Sequence, residues 1–405
     1  MTEVDIFEVG AGEPVRLTVA QAAALVESKL VSAEPLTNGE WLVAGAGKVG
    51  VAQIGDVTLR VKPKLPISRI FYLLGFSRGF VWRDDLVPYA TSEDLVHVLA
   101  DAFVRQADRA LGRGVIQGYV ERDDELAVVR GRLRHREQVT RRFGQITPLL
   151  VRYDDFTIDV AENQLVRAAA NVLRRVPGLD AGVASRLRAI TQRLDVVSDL
   201  TPGVPLPTWR PTRRNAHYDT VLWFASMILK GQSIDLPIGA VAVNGFMIDM
   251  AKVFEDFVTA ALSDALEKID GKVKAQDGWY LDVGGTVSMK PDLVWYRAGK
   301  PIAVIDAKYK AEKPSGYPNA DIYQTLAYCT ALGLPAGHLV YAKGNETAQD
   351  LHLHGGIEVH AHALDLQLQP AELLAQVDEL AQAILFATAH KRAAPPEHSE
   401  VRSAR

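Results

Sequence analysis

The stretch PDLVWYRAGKPIAVIDAKYK, residues 291–310, contains two apolar, β-prone runs separated by the short connection Arg297-Ala298-Gly299-Lys300. Each run carries charge where a buried strand is normally apolar. Asp292 opens the first run, and Asp306 and Lys308 follow the letters IAVI in the second. The pattern predicts a β-hairpin. Its charged residues are either the polar ends of an ordinary hairpin or a group that holds a metal ion.

The expected geometry of this hairpin brings its charges together. A turn centred on Ala298-Gly299 places Asp292 opposite Ile305. One extra loop residue places Asp292 opposite Asp306 instead. In both registers the two carboxylates are neighbours, and directly opposed Cβ atoms lie about 5 Å apart. Lys308 follows Asp306 by two residues, so both side chains point to the same face.

Two carboxylates at this separation repel each other unless a cation lies between them. Hard oxygen ligands suit Mg²⁺, and we expect Mn²⁺ to substitute for it. Hydrolysis of a phosphodiester uses such an arrangement, in which the metal activates water and a lysine stabilises developing charge. The alternative is a strand start and a solvated strand end, because the pattern D-x-K alone is common. The four apolar residues before Asp306 and the flanking helices favour the metal site.

The segments around the hairpin predict an α/β domain. Before it, DMAKVFEDFVTAALSDALEKI has the apolar periodicity of a helix, and Glu255 lies beside the apolar stripe. After it come a predicted helix, ADIYQTLAYCTAL, and a predicted strand, HLVYA. The helical stripe consists of Phe254, Phe257, Val258, Ala261, Leu262 and Ala265.

The rest of the chain has a different pattern. Residues 1–66 are predicted to be β-rich, with one helix over 18–29 capped by Thr18. Helices are also predicted over 92–112 and from an N-cap at Asp159. Between those two helices, GYVERDDELAVVRG predicts a hairpin that turns at Asp123-Asp124.

Arginines are concentrated between residues 130 and 142, where six of them face one acid, Glu137. If this segment is extended, Arg130, Arg132, Arg134 and Arg136 share one face. They then form either a solvated strand edge or a contact with phosphates or an acidic partner surface. The net charge of −4 argues against a protein that binds DNA mainly through its own surface.

Composition indicates a soluble globular protein of two or three domains, with 405 residues of which 48% are hydrophobic and 23% charged. No apolar run approaches the roughly 18 to 20 residues of a membrane span, and the start MTEVDIFEVG does not resemble a signal peptide. Cys329 is the only cysteine, so a reducing, cytoplasmic location is expected.

Several segments together resemble the McrC family, the nuclease subunits of modification-dependent McrBC restriction systems. The resemblance runs from about residue 40 to 345 and lies in RGRLRHREQ, RYDDFTIDVAENQLVRAA, KPDLVW, VIDAKYK and ADIYQTLAYC. It implies a PD-(D/E)xK nuclease with an αβββαβ core and a metal-binding triad of Asp292, Asp306 and Lys308. It also implies Glu255 as a further acid and metal ligand, and Gln324 with Tyr328 as a Q-x-x-x-Y pair beside the site.

The resemblance implies partners as well. McrC proteins work with McrB, a hexameric AAA+ GTPase that translocates double-stranded DNA and usually recognises methylated cytosine. The N-terminal part of McrC inserts into that ring and stimulates its GTPase. The alternatives are a non-catalytic activator of the motor, and a nuclease of a related restriction system with another target.

The predicted organisation has four parts. Residues 1–120 form a β-rich partner-binding region, and residues 121–240 contain the hairpin, the basic segment and connecting helices. Residues 241–390 form the nuclease domain, and residues 391–405 form a disordered tail.

Four histidines flank a predicted turn at Gly355-Gly356, namely His352, His354, His360 and His362. Strand alternation places the members of each pair on one face, as a zinc site requires. The chain lacks nearby cysteines and clear supporting acids, so an exposed hairpin face is favoured over a metal site.

Overall fold

The computed structural model describes residues 2–77, 94–201, 203–231, 243–309, 319–342 and 349–390. Its helices are α1 Val19–Glu27, α2 Ile67–Phe76, α3 Leu95–Gly112, α4 His135–Arg141, α5 Ala161–Leu173, α6 Ala181–Arg193, α7 Asp219–Gly231, α8 Met250–Ile269, α9 Asn319–Leu332 and α10 Pro370–His390. The predicted tail lies outside the described residues.

The strands of the first half are β1 Thr2–Phe7, β2 Glu13–Val15, β3 Val31–Pro35, β4 Trp41–Gly45, β5 Lys48–Ile54, β6 Val57–Lys62, β7 Gly118–Leu126, β8 Arg132–Leu133 and β9 Leu149–Thr157. Those of the second half are β10 Val243–Asp249, β11 Lys272–Ala275, β12 Trp279–Tyr280, β13 Ser288–Met289, β14 Leu293–Arg297, β15 Lys300–Lys308, β16 Ala336–Ala342, β17 Gln349–His352 and β18 Glu358–Leu364. The predicted mixture of helices and strands is confirmed.

Contacts divide the chain into two compact units. The first contains the described residues within Met1–Glu3, Gly50–Leu59 and Asp94–Met247, and the second those within Val4–Val49, Arg60–Glu93 and Ile248–Arg405. The four-part division expected from the sequence stays a prediction. No helix among the described residues has the length and apolar character needed to cross a membrane.

The second unit contains a six-stranded sheet in the order β11-β14-β15-β16-β18-β17. Strands β11, β14 and β15 are antiparallel neighbours, whereas β16 runs parallel to β15. A parallel connection needs a crossover, which α9 supplies between β15 and β16. Chain order is therefore helix α8, three antiparallel strands, helix α9 and strand β16, with the short hairpin β12-β13 inserted after β11.

Helix α9 lies close to β16 because Gly337 has no side chain. A Cβ atom at Gly337 would lie 2.5 Å from Cγ2 of Thr325 and 2.7 Å from Sγ of Cys329. Real Cβ atoms do not approach other atoms so closely, so a larger residue would push the helix away. The close approach fixes the helix that carries Gln324 and Tyr328.

Helix α8 presents the predicted apolar stripe to the core of the second unit. All six predicted residues of the stripe are buried. Asp249 caps the helix by accepting hydrogen bonds from the N–H groups of Ala251 at 3.0 Å and Lys252 at 3.2 Å. Helix α8 packs against β11 and β15, which places Glu255 near the hairpin.

The first unit combines helices α3, α5, α6 and α7 with a three-stranded sheet in the order β7-β9-β8. Helix α3 ends at Gly112 as predicted, and Asp94 is its N-cap; the predicted start at 92–93 lies outside the described residues. Helix α5 begins one residue later than predicted, with Val160 at the N-cap. Asp159 instead accepts hydrogen bonds from Ser198 and from the side chain of Gln164.

The predicted turn at Asp123-Asp124 is wrong. Strand β7 runs straight through these residues and pairs with β9, not with the segment that follows it. Arg152 of β9 donates to Asp123 at 2.6 Å, and the Tyr153 hydroxyl donates to Asp124 at 3.2 Å. Because cross-strand partners satisfy both acids, the strand continues where the sequence suggested a turn.

The α1 prediction is confirmed in detail. Thr18 accepts a hydrogen bond from the Gln21 N–H at 3.2 Å, and the Gln21 side chain accepts one from the Thr18 N–H at 3.0 Å. This reciprocal capping box satisfies two backbone donors at the helix start.

Candidate active site

The hairpin β14-β15 turns at Ala298-Gly299, as predicted, and pairs Arg297 with Lys300. Ala298 and Gly299 have φ values of 50° and 76°, the left-handed conformations that two-residue hairpin turns require. The ladder shifts between Trp295 and Tyr296, so that it resumes with Leu293 opposite Ile305.

The shift selects between the two registers that the sequence left open. With Leu293 paired to Ile305, Asp292 lies beside Asp306 at the end of the ladder. The Asp292 Oδ2 accepts a hydrogen bond from the backbone N–H of Ala307 at 2.9 Å. This contact holds the first carboxylate against the second strand.

Asp306 is 3% exposed and Lys308 lies on the same face of β15. The Lys308 ammonium forms an ion pair with Oδ2 of Asp306. The ion pair lacks hydrogen-bond geometry, and Oδ2 receives no hydrogen bond from the part of the chain that the structure describes. A buried carboxylate oxygen in this state has an acceptor site left for a further cation.

Burial raises the pKa of both carboxyl groups. Burial is the larger cause for Asp292, whose pKa rises to about 7, and the neighbouring Asp306 raises it further. Burial also raises the pKa of Asp306, while Lys308 opposes that shift. A divalent cation between the two carboxylates would relieve the repulsion and favour their charged forms.

The Lys308 ammonium, which pairs with Asp306, also contacts helix α9. Its Nζ donates to Oε1 of Gln324 at 2.9 Å, and the Gln324 Nε2 donates to the Tyr328 hydroxyl at 2.7 Å. Burial raises the pKa of Tyr328 to about 12, with Asp306 as the next cause, so this hydroxyl stays protonated at neutral pH. The structure therefore brings the Q-x-x-x-Y pair into contact with Lys308.

Glu255 reaches the site through a residue that the sequence analysis missed. The Gln276 Nε2 donates to Oε1 of Glu255 at 2.7 Å and to Oδ1 of Asp292 at 3.0 Å. Lys252 also donates to Oε1 of Glu255 at 2.8 Å. Gln276 follows a short strand, and nothing in its sequence context distinguishes it from other polar residues at strand ends.

The donor set fits a Mg²⁺ ion held by two carboxylates. Mg²⁺ is usually bound through one or two carboxylates and keeps waters or substrate phosphate oxygens in its other positions. Asp292 and Asp306 offer such a pair, and Oδ2 of Asp306 has acceptor capacity left. No group of three or more His, Cys, Asp or Glu side chains among the described residues is arranged to hold a metal. The role of Glu255 as a metal ligand stays a prediction; its Oε1 accepts hydrogen bonds from Lys252 and Gln276.

Residues 45–342 match the protein family described as McrBC 5-methylcytosine restriction system component. The chain belongs to this family. The match includes Glu255, Gln276, the hairpin β14-β15 and helix α9. A comparison with curated proteins gave no match.

Two solved structures related to this family are similar to the chain. A chain of the refined half-complex from the tetradecameric assembly of Thermococcus gammatolerans McrB AAA+ hexamers with bound McrC is 18% identical, with a TM-score of 0.60, and the match covers 95% of this chain and 100% of that one. A chain of the cryo-EM structure of the Thermococcus gammatolerans McrBC complex is 18% identical, with a TM-score of 0.42, over 65% of this chain and 88% of that one. The first likeness shows a shared fold.

The arginine segment of this McrBC-family chain belongs to the first unit and is not extended as predicted. Strand β8 has two residues and contains Arg132, and helix α4 starts at once and contains Arg136. Arg130 pairs with Asp155 at 2.8 Å, and Arg134 pairs with Asp123 at 3.2 Å. The condition for a common face is therefore not met at Arg136, which lies in helix α4. A contact of these arginines with phosphates or a partner stays a prediction.

The histidine prediction is corrected in part. Strands β17 and β18 form the predicted hairpin, and His352 and His354 are exposed. His360 and His362 are not on an exposed face, because β18 also pairs with β16 and brings them against buried His338. His338 Nδ1 lies 3.1 Å from His362 Nε2.

Proposed function

We propose that this chain is the DNA endonuclease subunit of an McrBC-like restriction complex. Its C-terminal part is a PD-(D/E)xK nuclease that hydrolyses phosphodiester bonds with Mg²⁺. The observation that carries this proposal is the convergence of half-buried Asp292, buried Asp306 and Lys308 at neighbouring ends of the inner strands β14 and β15. A stable fold has no need for two repelling buried carboxylates, whereas a divalent-cation site does.

The residues of the site have separate roles in this reaction. Asp292 and Asp306 would hold the Mg²⁺, and the ion would supply Lewis-acid polarisation of the phosphoryl oxygen and activation of a water. Lys308 carries positive charge to the phosphate oxygens or orients the attacking water. Gln324 and Tyr328 fix the Lys308 ammonium through the hydrogen bonds described above.

The proposed partner is an AAA+ GTPase hexamer of the McrB kind, which translocates and recognises modified double-stranded DNA. Membership of the McrBC family and the fold shared with a chain from an assembly of McrB hexamers with bound McrC support this assignment. The net charge of −4 supports it too, because a subunit that is negatively charged overall relies on local positive charge or on a partner for DNA binding. Cys329 is buried with a free thiol, which suits a cytoplasmic location.

Besides the N-terminal region 1–120, one end of the β7-β9 ladder is a further proposed contact with the motor. Leu126 pairs with Leu149 there, so the loops after β7 and before β9 lie at the same end. These loops and helix α4 expose a set of apolar side chains, which we call the apolar end: Val128, Val129, Val139, Phe143 and Ile146. Exposed apolar groups of this kind are typical of protein interaction sites.

Reconstitution tests the proposal. The chain is mixed with its AAA+ partner, GTP and either Mg²⁺ or EDTA, and cleavage of methylated and unmethylated DNA is followed on gels. We expect double-strand cleavage of methylated DNA in Mg²⁺ and none in EDTA. A complex that hydrolyses GTP and translocates DNA but never nicks it in Mg²⁺ or Mn²⁺ would establish the non-catalytic activator instead. Equal cleavage of both DNAs would indicate a related system with another target.

A further inference from the structure

Gln276 connects two acids of the candidate site that are distant in sequence. Its amide nitrogen donates one hydrogen bond to Glu255 of helix α8 and one to Asp292 at the start of β14. A primary amide has two N–H donors, so these two carboxylates use its donor capacity completely. The side chain therefore fixes the separation of the two acids.

The backbone of Gln276 is in an uncommon conformation. Its φ is 53°, in the left-handed region where glycine and asparagine are the usual residues. Its N–H donates to the Asp292 carbonyl at 3.0 Å and closes the segment 277–291 at its base. A turn alone would favour glycine at this position, so the strained glutamine indicates a function for its side chain.

The neutral charge of the amide matters for the chemistry of the site. A lysine between Glu255 and Asp292 would also hold them, but it would cancel negative charge that a divalent cation needs. The Gln276 amide orients both carboxylates and adds no positive charge to that of Lys252, which already pairs with Glu255. Asp292 is then fixed through both oxygens, by Gln276 at Oδ1 and by the Ala307 N–H at Oδ2.

We propose that Gln276 is a positioning residue that holds Glu255 and Asp292 together and so prepares the carboxylates for a divalent cation. The inference rests on the proposed nuclease function and adds to it a residue outside the PD-(D/E)xK pattern. Groups that hold metal ligands in place typically contribute a factor of about 10 to 100 to metal affinity.

Replacement of Gln276 by glycine tests the role of the side chain without straining the backbone. Glycine accepts the left-handed φ without strain, so Gln276→Gly removes the side chain and its amide without straining the backbone. Mn²⁺ alone is titrated calorimetrically into the full-length chain without DNA, and thermal unfolding is measured in EDTA. We expect the Mn²⁺ affinity to fall about tenfold or more, while the Tm in EDTA stays within a few degrees or rises. Mg²⁺-dependent cleavage with the partner should fall as well.

Ala298→Gly is the matched control, because Ala298 also has a positive φ and lies in the exposed turn of the hairpin. It should leave Mn²⁺ affinity and cleavage unchanged. If Gln276→Gly fails to fold, Gln276→Asn carries the test, since asparagine tolerates this φ and its amide is one methylene short of the two carboxylates. Wild-type Mn²⁺ affinity in a folded Gln276 variant would overturn the inference. A wild-type chain that binds no Mn²⁺ and cuts no DNA would overturn the proposed function instead.

Discussion

Glu8 is a completely buried carboxylic acid that supports the strand carrying Lys308. Its Oε1 accepts hydrogen bonds from the Lys64 N–H at 3.0 Å and from the Tyr309 hydroxyl at 2.9 Å. Tyr309 follows Lys308 directly, and its ring centroid lies 6.0 Å from that of Phe254 on helix α8. Burial raises the pKa of Glu8, and the hydrogen bonds from Lys64 and Tyr309 oppose that shift. The stability of the fold around Glu8 therefore depends on these two donors.

Replacement of Tyr309 by phenylalanine removes one of these donors. The buried Glu8 then loses a hydrogen bond, and we expect the free energy of unfolding to fall by about 1 to 3 kcal/mol. Urea unfolding of the chain measures the change. Tyr323→Phe is the control, because Tyr323 is 66% exposed, and its effect should stay within about 0.5 kcal/mol. Equal stabilities of the two variants would contradict this account of Glu8.

The histidines of β16 and β18 predict a loss of stability in mild acid. Burial lowers the pKa of His338 well below its usual value and that of His362 to about 4, and the neighbouring histidines add to both shifts. His360, bonded to Asp350 at 2.7 Å, faces the same group, and Glu358 lies 3.6 Å from it. Unfolded histidine titrates near 6.5. Between pH 6.5 and about 4 these two histidines therefore bind more protons in the unfolded chain than in the folded chain, and their contribution to stability falls as the pH falls.

His362→Gln should weaken this pH dependence. Each histidine that stays neutral in the folded chain contributes up to about 1.4 kcal/mol per pH unit to the slope. The free energy of unfolding is measured from pH 6.5 to 4.5, and the slope should be smaller in the variant. His354→Gln, which changes an exposed histidine, should keep the wild-type slope. Identical slopes for wild type and His362→Gln would exclude the assigned protonation state.

At the residue scale, the sequence predicted those site residues whose positions follow from strand periodicity. Asp306 and Lys308 share a face because strands repeat every two residues. Gln276 and His338 escaped prediction because their neighbours come from segments more than fifteen residues away. The local sequence around each residue does not indicate such long-range contacts.

At the element scale, the hairpin β14-β15 shows which features a local sequence pattern predicts and which it does not. Its turn was predictable from Ala298-Gly299, but the register at Asp292 depended on the irregularity between Trp295 and Tyr296. A shift of this kind arises from packing on both faces of the sheet and leaves no signal in the turn itself. The same reason explains β7, where partners on β9 replaced the turn expected at Asp123-Asp124.

The apolar end gives a prediction about partner binding. Phe143 and Ile146 are 87% and 84% exposed, so a charge at either position costs the isolated chain little stability. Phe143→Asp should weaken binding to the AAA+ partner at least tenfold and reduce stimulation of its GTPase, because interface centres exclude unpaired charge. Affinity is measured with the purified partner by biolayer interferometry.

Val196→Asp is the control for that experiment. Val196 is a 69% exposed apolar residue of the same unit that lies outside the β7-β9-β8 sheet. It should bind the partner as the wild type does. If Phe143→Asp also keeps wild-type affinity, the apolar end is not the contact with the motor.

At the scale of the whole molecule, both compact units are built from segments that are distant in sequence. Residues within 50–59 belong to the first unit, whereas the segments on either side of them belong to the second. Composition shifts and linkers mark the boundaries of contiguous segments only, so they do not reveal a unit that is built from distant segments. The mixed α/β class was predictable, because it depends on local periodicity.

The distribution of charge also belongs to this scale. The net charge is −4, and arginines such as Arg130, Arg134 and Arg152 are paired with acids of the same sheet. Their charges are therefore largely neutralised by neighbours, which limits sequence-independent binding to DNA phosphates. Under the proposed function, this chain hydrolyses the DNA and the AAA+ partner supplies much of the DNA binding.

The most direct test of this account is DNA cleavage by the complex assembled with Asp306→Asn or Lys308→Ala. Both variants remove one charge from the candidate site, and we expect cleavage in Mg²⁺ and GTP to fall by at least roughly 10² to 10³. Partner binding and stimulation of GTP hydrolysis serve as controls and should match the wild type. Wild-type cleavage rates in both variants would contradict the assignment of the nuclease site.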